Sequence, residues 1–373
     1  MAGTGAGLKE LKGVAMKQKI LYVSHVDWQW IKQRPHFIAE GLMERFDVTV
    51  LYTFQNANRK HLQRRSIDKK RIHPFYSIPM SGRIKPLGVI NRGFMKAQLT
   101  HQIRRVKPDY LYLTYPTQVT HLPNQFSGKI LYDCMDDHVA MMRPAQKEMV
   151  QENERALIQR ADIVLVSSEN LRQVLIRRYG AEYGEKMHLV RNGYSGKVLQ
   201  VPPKTATNAE DFTISYIGTV GKWFDFDLLL KSLDAFPNLR YQIIGPVEVE
   251  KPQHERLVFT GTMEHHKLYD AVKDTDCLIM PFVVNDIVAS VDPVKLYEYI
   301  NYNMNILCVE YPEIQRFAPF VHFYQDYDSF ARQIQGMMAD NTICYSAADR
   351  ERLLQESNWA SRVSTIADIL SKA

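Results

Sequence analysis

The chain has 373 residues, 45% of them apolar and 24% charged, the make-up of a globular protein long enough for two domains, which excludes a disordered, collagen-like or disulfide-stapled chain. Its net charge of +6 hides a division, because residues 1–200 hold 32 Lys and Arg against 17 Asp and Glu, whereas residues 201–373 hold 15 against 24. The four widely spaced cysteines suggest neither a disulfide framework nor a zinc site and fit a reducing cytoplasm, and no apolar run of about 18 residues is present to span a membrane.

Residues 1–15 read as a flexible leader without the apolar core of a signal peptide. The first domain is expected over 16–200. Its first strand is the apolar run Lys19-Ile20-Leu21-Tyr22-Val23-Ser24, followed by a helix from about Pro35 to Arg45 and a strand at Val48-Thr49-Val50-Leu51-Tyr52. Tyr110–Thr114, Lys129–Asp133, Ile163–Ser167 and His188–Val190 continue as strands, with helices near 148–160 and 171–179. Such alternation predicts a parallel sheet with helices on both faces. Pro- and Thr-containing residues 200–211 read as a linker. A second set of strands follows at Thr213–Gly218, Arg240–Gly245, Leu257–Phe259, Cys277–Phe282 and Asn305–Val309, so a second domain of the same kind is expected over 201–373. The final helical stretch, 347–370 with a break near Asn358-Trp359, has the length to return to the first domain.

Most of the positive charge lies between Arg59 and Lys107, where fourteen basic residues face the single acid Asp68. They include Arg64, Arg65, Lys69, Lys70 and Arg71, and are interleaved with Phe75, Tyr76, Ile78, Leu87, Val89, Ile90, Phe94 and Met95. That mixture suits an anionic membrane surface, each basic residue contributing about 1 kcal/mol there. Nucleic acid is not expected as a partner, since none of its recognition motifs is present. A solvated basic face is the other reading.

Four stretches carry chemistry. Asp292-Pro293-Val294-Lys295-Leu296-Tyr297-Glu298 sets a lysine and a carboxylate three residues apart on one helical face. Pro293 fits the first turn, whose free N–H groups attract anions, so Lys295 suits a diphosphate and Glu298 a sugar diol. A surface Lys/Glu pair would show the same spacing. Gly218-Thr219-Val220-Gly221-Lys222 follows a strand and opens a helix, so a diphosphate can approach the backbone while Lys222 neutralises it, although neither GxxxxGK[ST] nor GxGxxG is present. Asp225-Phe226-Asp227 has metal-binding spacing, but Asp225 reads as a cap, and no metal or other cofactor is expected. Asp136 and Asp137 end a strand, where a carboxylate can take a proton from an acceptor hydroxyl or merely cap a helix, with His25 in reserve. Trp28 is placed to stack on a sugar and Arg34 to hold a phosphate of the acceptor; an aromatic lid packed on the domain edge is the alternative for this loop.

Taken in chain order, Tyr132-Asp133-Cys134-Met135-Asp136-Asp137, Ala161-Asp162-Ile163-Val164, Val190-Arg191-Asn192-Gly193, Gly218 to Leu228, Ile244-Gly245-Pro246, Gly261-Thr262-Met263, Asp276 to Phe282 and Lys295-Leu296-Tyr297-Glu298-Tyr299 resemble the GT-B glycosyltransferases. The resemblance is nearest to family 4 and to the enzymes of teichuronic-acid and capsule synthesis. It implies two Rossmann-like domains facing across a cleft and transfer of a sugar from a nucleoside diphosphate donor to an acceptor hydroxyl. The acceptor expected is a lipid-linked glycan, reached by a cytoplasmic enzyme peripheral to the inner membrane face. The resemblance also implies that Glu298 binds the ribose hydroxyls, that Lys222 and Lys295 contact phosphate, and that the loop with Met263 meets the base. The family's first glutamate, eight residues before Glu298, is here Ser290. A nucleotide-sugar epimerase or hydrolase, and a non-catalytic partner of another transferase, are the competing readings of the same architecture.

Overall fold

The computed structural model describes residues 17–54, 66–79, 81, 85–202, 211–343 and 345–372. The expected leader, Arg59, Arg64, Arg65 and most of the linker lie outside them. The first half runs β1 (Lys19–Ser24), α1 (Arg34–Arg45), β2 (Asp47–Thr53), β3 (Ile72–Phe75), α2 (Lys85–Val106), β4 (Tyr110–Leu113), β5 (Lys129–Cys134), α3 (Pro144–Arg160), β6 (Ile163–Val166), α4 (Glu169–Tyr179) and β7 (Met187–Leu189). Its strands form one parallel sheet in the order β3-β2-β1-β4-β5-β6-β7.

The second half runs β8 (Phe212–Ile217), α5 (Phe226–Ala235), β9 (Leu239–Ile244), β10 (Leu257–Gly261), α6 (Leu268–Val272), β11 (Cys277–Met280), α7 (Asp286–Ser290), α8 (Val294–Asn301), β12 (Asn305–Val309), β13 (His322–Tyr324), α9 (Tyr327–Ala339), α10 (Ala347–Glu356) and α11 (Trp359–Lys372). Its parallel sheet has the order β10-β9-β8-β11-β12-β13. The two Rossmann-like sheets expected from the alternation are therefore both present. Each changes winding direction once, between β1 and β4 and between β8 and β11, and a crevice opens at the carboxyl ends of the strands at such a point.

The central strands are apolar throughout because helices cover both faces: every residue of β4 and β11 is buried. Helix starts follow from local chemistry. Ser168 Oγ accepts the Leu171 N–H at 3.0 Å, the Asp225 carboxylate accepts the Leu228 N–H at 2.9 Å, and the Asn285 side-chain oxygen accepts those of Ile287 and Val288. Asp225 is thus a cap, as its position suggests. Two edge strands escaped the sequence reading. In β3 the residue Pro74 weakens the strand signal, yet an edge strand tolerates a missing N–H; β13 has only three residues. The basic stretch also contains a 22-residue helix, α2, and two of its apolar residues, Phe75 and Met95, are buried in the core rather than offered to a membrane.

The last helix leaves the second domain and packs on the first. Trp359, Val363, Ile366, Ala367 and Leu370 recur at helical spacing and join the core under β1, β2 and β4. The Trp359 ring stacks on Phe37 at 5.0 Å, and Tyr110 donates its hydroxyl hydrogen bond to the Leu370 carbonyl at 2.7 Å. Gly41 of α1 makes room, since a Cβ there would lie 2.6 Å from a Val363 methyl. Trp359→Ala should therefore lower the stability of the first domain by about 3 kcal/mol, read as a fall in the thermal midpoint, while the exposed Lys372→Ala should leave it unchanged.

Candidate functional site

The carboxyl ends of β8 and β9 and the first turn of α8 build one wall of the cleft between the domains. Gly218 follows β8 with φ 145°, and a Cβ there would fall 2.2 Å from Lys295 Cε and 2.7 Å from its Nζ. Only glycine lets the lysine lie against this backbone. Thr219 continues the turn, its carbonyl accepting the Tyr216 hydroxyl at 2.9 Å. Pro293 is buried at the N-cap of α8, where no side chain caps the helix, so it starts the helix without itself offering a donor.

Lys295 is half-buried, lies 5.8 Å from the Tyr216 ring centre, and has no hydrogen bond or ion pair among the described residues. Burial pulls its pKa below the ordinary lysine value, and the charge of Glu298 works the other way. A cation held this way gains by meeting an anion. The exposed Lys222 shares the same cavity. Its volume is about 660 Å³, and Asp136 and Met141 of the first domain face Lys222, Asn285, Ser290 and Lys295 of the second across it, a size that suits a sugar diphosphate. Glu298 sits one turn beyond Lys295, its Oε1 accepting from His265 Nε2 at 2.9 Å. Met263, half-buried, packs against the second core beside that turn.

Ser290 stands where the resemblance has its first glutamate. It is buried: its hydroxyl accepts from Asn170 at 3.0 Å and donates to the Asp286 carbonyl at 3.1 Å, while its own carbonyl accepts from Ser168 at 2.7 Å. The position ties α7 to α4 of the other domain.

In the first domain Asp136 is half-buried at the end of β5. Burial raises its carboxyl to about 6, against the pull of Arg34, with Asp133 and Asp137 adding to the rise. Asp137 is different and is corrected as a base. Although burial works to raise its pKa, Arg178 at 2.9 and 2.7 Å and the Ala140 N–H at 3.0 Å hold it below the ordinary carboxylate value, so both oxygens are occupied. His25 meets Thr114 Oγ1 through Nδ1 at 2.8 Å, and burial lowers its pKa to about 4. His138, which the sequence reading passed over beside the two aspartates, is buried with Nε2 unpartnered; burial and then His25 push it to about 3. The two imidazole centres are 6.0 Å apart, with Tyr115 packed on both.

Two acceptor assignments are overturned by burial. Trp28 is 2% exposed and packs on His36 at 4.9 Å, so it has no face to offer a sugar. Arg34 is buried in contact with both oxygens of Asp133 and donates to the Val190 carbonyl at 2.8 Å, which leaves no guanidinium edge for a phosphate. A wider cleft of about 1280 Å³ lies beside them, lined by His25, Val89, Arg92, Tyr115, His121 and Met149 among others.

No family model and no curated protein matches this chain. Solved structures do. A sucrose-phosphate synthase from Thermosynechococcus elongatus is 15% identical with a TM-score of 0.68, over 95% of this chain and 99% of that one. The lipopolysaccharide outer core galactosyltransferase WaaB in its apo form is 12% identical with a TM-score of 0.67, over 95% and 100%. HepE of Anabaena, solved in complex with UDP, is 13% identical with a TM-score of 0.64, over 95% and 100%, and has also been solved with UDP-glucose. At these identities the likeness establishes the fold: the chain has the two-domain GT-B architecture.

The two aspartates separate cleanly by experiment. Asp136→Asn should abolish the acid limb of any turnover, which in the wild type should fall as pH drops through about 6. Asp137→Asn should keep turnover but lose about 1–3 kcal/mol of stability, because Arg178 is left without its partner. The carboxylate contributes that stability above its unfolded pKa, and the contribution is lost as pH falls through its lowered folded value. Paired pH–rate profiles and thermal melts read both.

Proposed function

We propose that this protein is a glycosyltransferase that moves a sugar from a nucleoside diphosphate donor to an acceptor hydroxyl. The observation that carries the reading is Lys295, a half-buried ammonium without an ion-pair partner among the described residues, lodged on Gly218 and one helical turn from Glu298. Lys295, Lys222 and the N-terminal turn of α8 take the diphosphate, and Glu298 takes the ribose hydroxyls. When the bond between the sugar C1 and the diphosphate oxygen breaks, negative charge grows on the diphosphate, and two lysines aimed there stabilise it without a metal. The acceptor oxygen bonds to C1 and gives its proton to Asp136, whose pKa of about 6 suits a base near neutrality. UDP bound to HepE makes uridine nucleotides the first donors to test.

The acceptor enters through the wider cleft of the first domain, where Arg92 stands among apolar residues. Val89, Ile90 and Phe94 of α2 are exposed, and this helix contains Arg92, Lys96, Arg104 and Arg105 but no acid. That combination favours a lipid-linked glycan on an anionic membrane, in the manner of family 4 enzymes of cell-surface polysaccharide synthesis working from the cytoplasmic face. No helix among the described residues is long and apolar enough to cross a membrane.

A thermal-shift panel of nucleoside diphosphate sugars tests donor choice, saturation at about 100 times the dissociation constant giving about 2.7 kcal/mol of stabilisation. Glu298→Gln should weaken donor binding by about 1.5–3 kcal/mol. Lys295→Ala and Lys222→Ala should lower kcat about 10- to 1000-fold while changing donor affinity less. Turnover of donor without any acceptor would instead identify an epimerase or hydrolase, and a folded protein that binds donor without turnover would identify a non-catalytic partner.

Vesicle co-sedimentation tests the membrane. Binding to anionic vesicles should weaken as salt rises, and replacing Arg92, Arg104 and Arg105 by Gln should release the protein while donor affinity stays unchanged. Equal partition to neutral and anionic vesicles would leave a soluble acceptor.

A further inference from the structure

Glu298 is partly exposed beside His265. Its side chain is 23% exposed; Lys295 lies one turn back on the same helix, and Tyr194, Tyr299 and Tyr302 lie near enough for its charge to raise their pKa values beyond what burial does. His265, 72% exposed in its side chain, places Nε2 2.9 Å from Glu298 Oε1. One acceptor position of the carboxylate is thereby taken.

The segment that carries His265 is a turn at the end of β10. It follows Gly261, whose φ of 75° places it in the left-handed region and around which an added Cβ would find open space. Thr262, Glu264, His266 and Lys267 are exposed. Glu264 gathers its neighbours, meeting Lys267 at 3.0 Å and His266 at 3.6 Å, so these charges satisfy one another within the turn. The bond to Glu298 is what the His265 side chain contributes across the site.

We infer that His265 is a donor-site residue that holds Glu298 while the site is empty and yields it to the ribose diol when the nucleotide sugar arrives. The inference rests on the reading of Glu298 as the ribose-binding carboxylate. A carboxylate offers about four acceptor positions, but a vicinal diol needs one on each oxygen facing the ligand, and the imidazole takes one of those on Oε1. Donor capture is therefore an exchange of partners, made by rotation of the exposed His265 side chain.

The exchange has a proton signature. The hydrogen bond from Glu298 raises the His265 pKa above its ordinary value, burial partly opposing, and the carboxylate charge adds to the rise. Displaced into solvent, the imidazole returns to about 6.5. Between that value and the raised one, donor binding expels a proton, so donor affinity increases as pH rises across the window and is flat above it. The other groups near the pair are Lys295 on α8, the three tyrosines, and Glu264, His266 and Lys267 on the turn itself.

The experiment is calorimetric titration at pH 6, 7 and 8 in two buffers of different ionisation enthalpy. The probe is whichever of UDP-glucose, GDP-mannose and ADP-glucose raises the thermal midpoint most, since a diphosphate diester has no proton of its own to lose in this range. His265→Ala should bind the donor about two- to tenfold more tightly than wild type at pH 6, with the gap narrowing by pH 8. The wild type should release a fraction of a proton per donor at pH 7, and His265→Ala and His265→Gln should release none. His265→Gln, which keeps a donor N–H without its titration, should lose the pH dependence. Equal or weaker binding by a folded His265→Ala at pH 6, or absence of proton release from the wild type, overturns the latch. Unchanged affinity in Glu298→Gln, or no binding of any of the three probes, overturns instead the ribose reading beneath it.

Discussion

A guanidinium buried among apolar strands needs full satisfaction, and the junction of the two domains is organised around that need. Arg34 is 5% exposed, and its partner Asp133 is fully buried in β5. Burial works against the charge of Arg34, but Asp133 more than compensates and raises its pKa. The remaining N–H groups reach the carbonyls of Val190 and Arg191 and the side-chain oxygen of Asn192. Asn192 then donates its backbone N–H to Asp292 at 2.6 Å, Asp292 pairs with Arg316, and Arg316 meets Glu313, which also accepts from Arg191. One chain of polar contacts thus runs from the middle of the first sheet to Asp292, two residues before α8. The helix that carries Lys295 and Glu298 takes its position from this chain, and so does its distance from Asp136.

The same junction holds Ser290 between the two domains. Its neighbours Ser168 and Asn170 belong to the first domain, and a longer acidic side chain would have to be buried among them. Asn285 and Lys222 line the cavity beside Ser290. Across the cleft, burial keeps His25, His138 and His121 neutral near pH 7. The first domain therefore presents polar rings with few fixed charges, against which Asp136 and Arg92 stand out.

Much of the architecture was legible because parallel strands covered on both faces read as unbroken apolar runs, as in Tyr110–Leu113 and Cys277–Met280. That Lys295 and Glu298 share one helix was legible for another local reason, their three-residue spacing. What sequence could not show is who meets whom over distance. Arg34 has the look of a phosphate ligand until Asp133, 99 residues away, is seen to hold it. Asp137 has the look of a base until Arg178, 41 positions on, claims both oxygens. Residue type advertises capacity, whereas burial and partner decide whether that capacity is spent. α2 was obscured differently: its exposed apolar residues and lack of acids blur the alternation of faces by which a helix packed on a sheet is usually read.

The return of α11 has a consequence for biosynthesis. The first sheet begins at Lys19, yet part of the layer that covers it is supplied by Trp359 to Leu370. Chain elongation proceeds at about 5–20 residues per second, so the nascent first domain waits tens of seconds with an apolar groove along α1 open to solvent or to chaperones. The second sheet, complete by Tyr324, has all its strands in hand earlier relative to its own start. The protein is in this sense a clasp: its halves are consecutive in sequence, but the earlier one is sealed last.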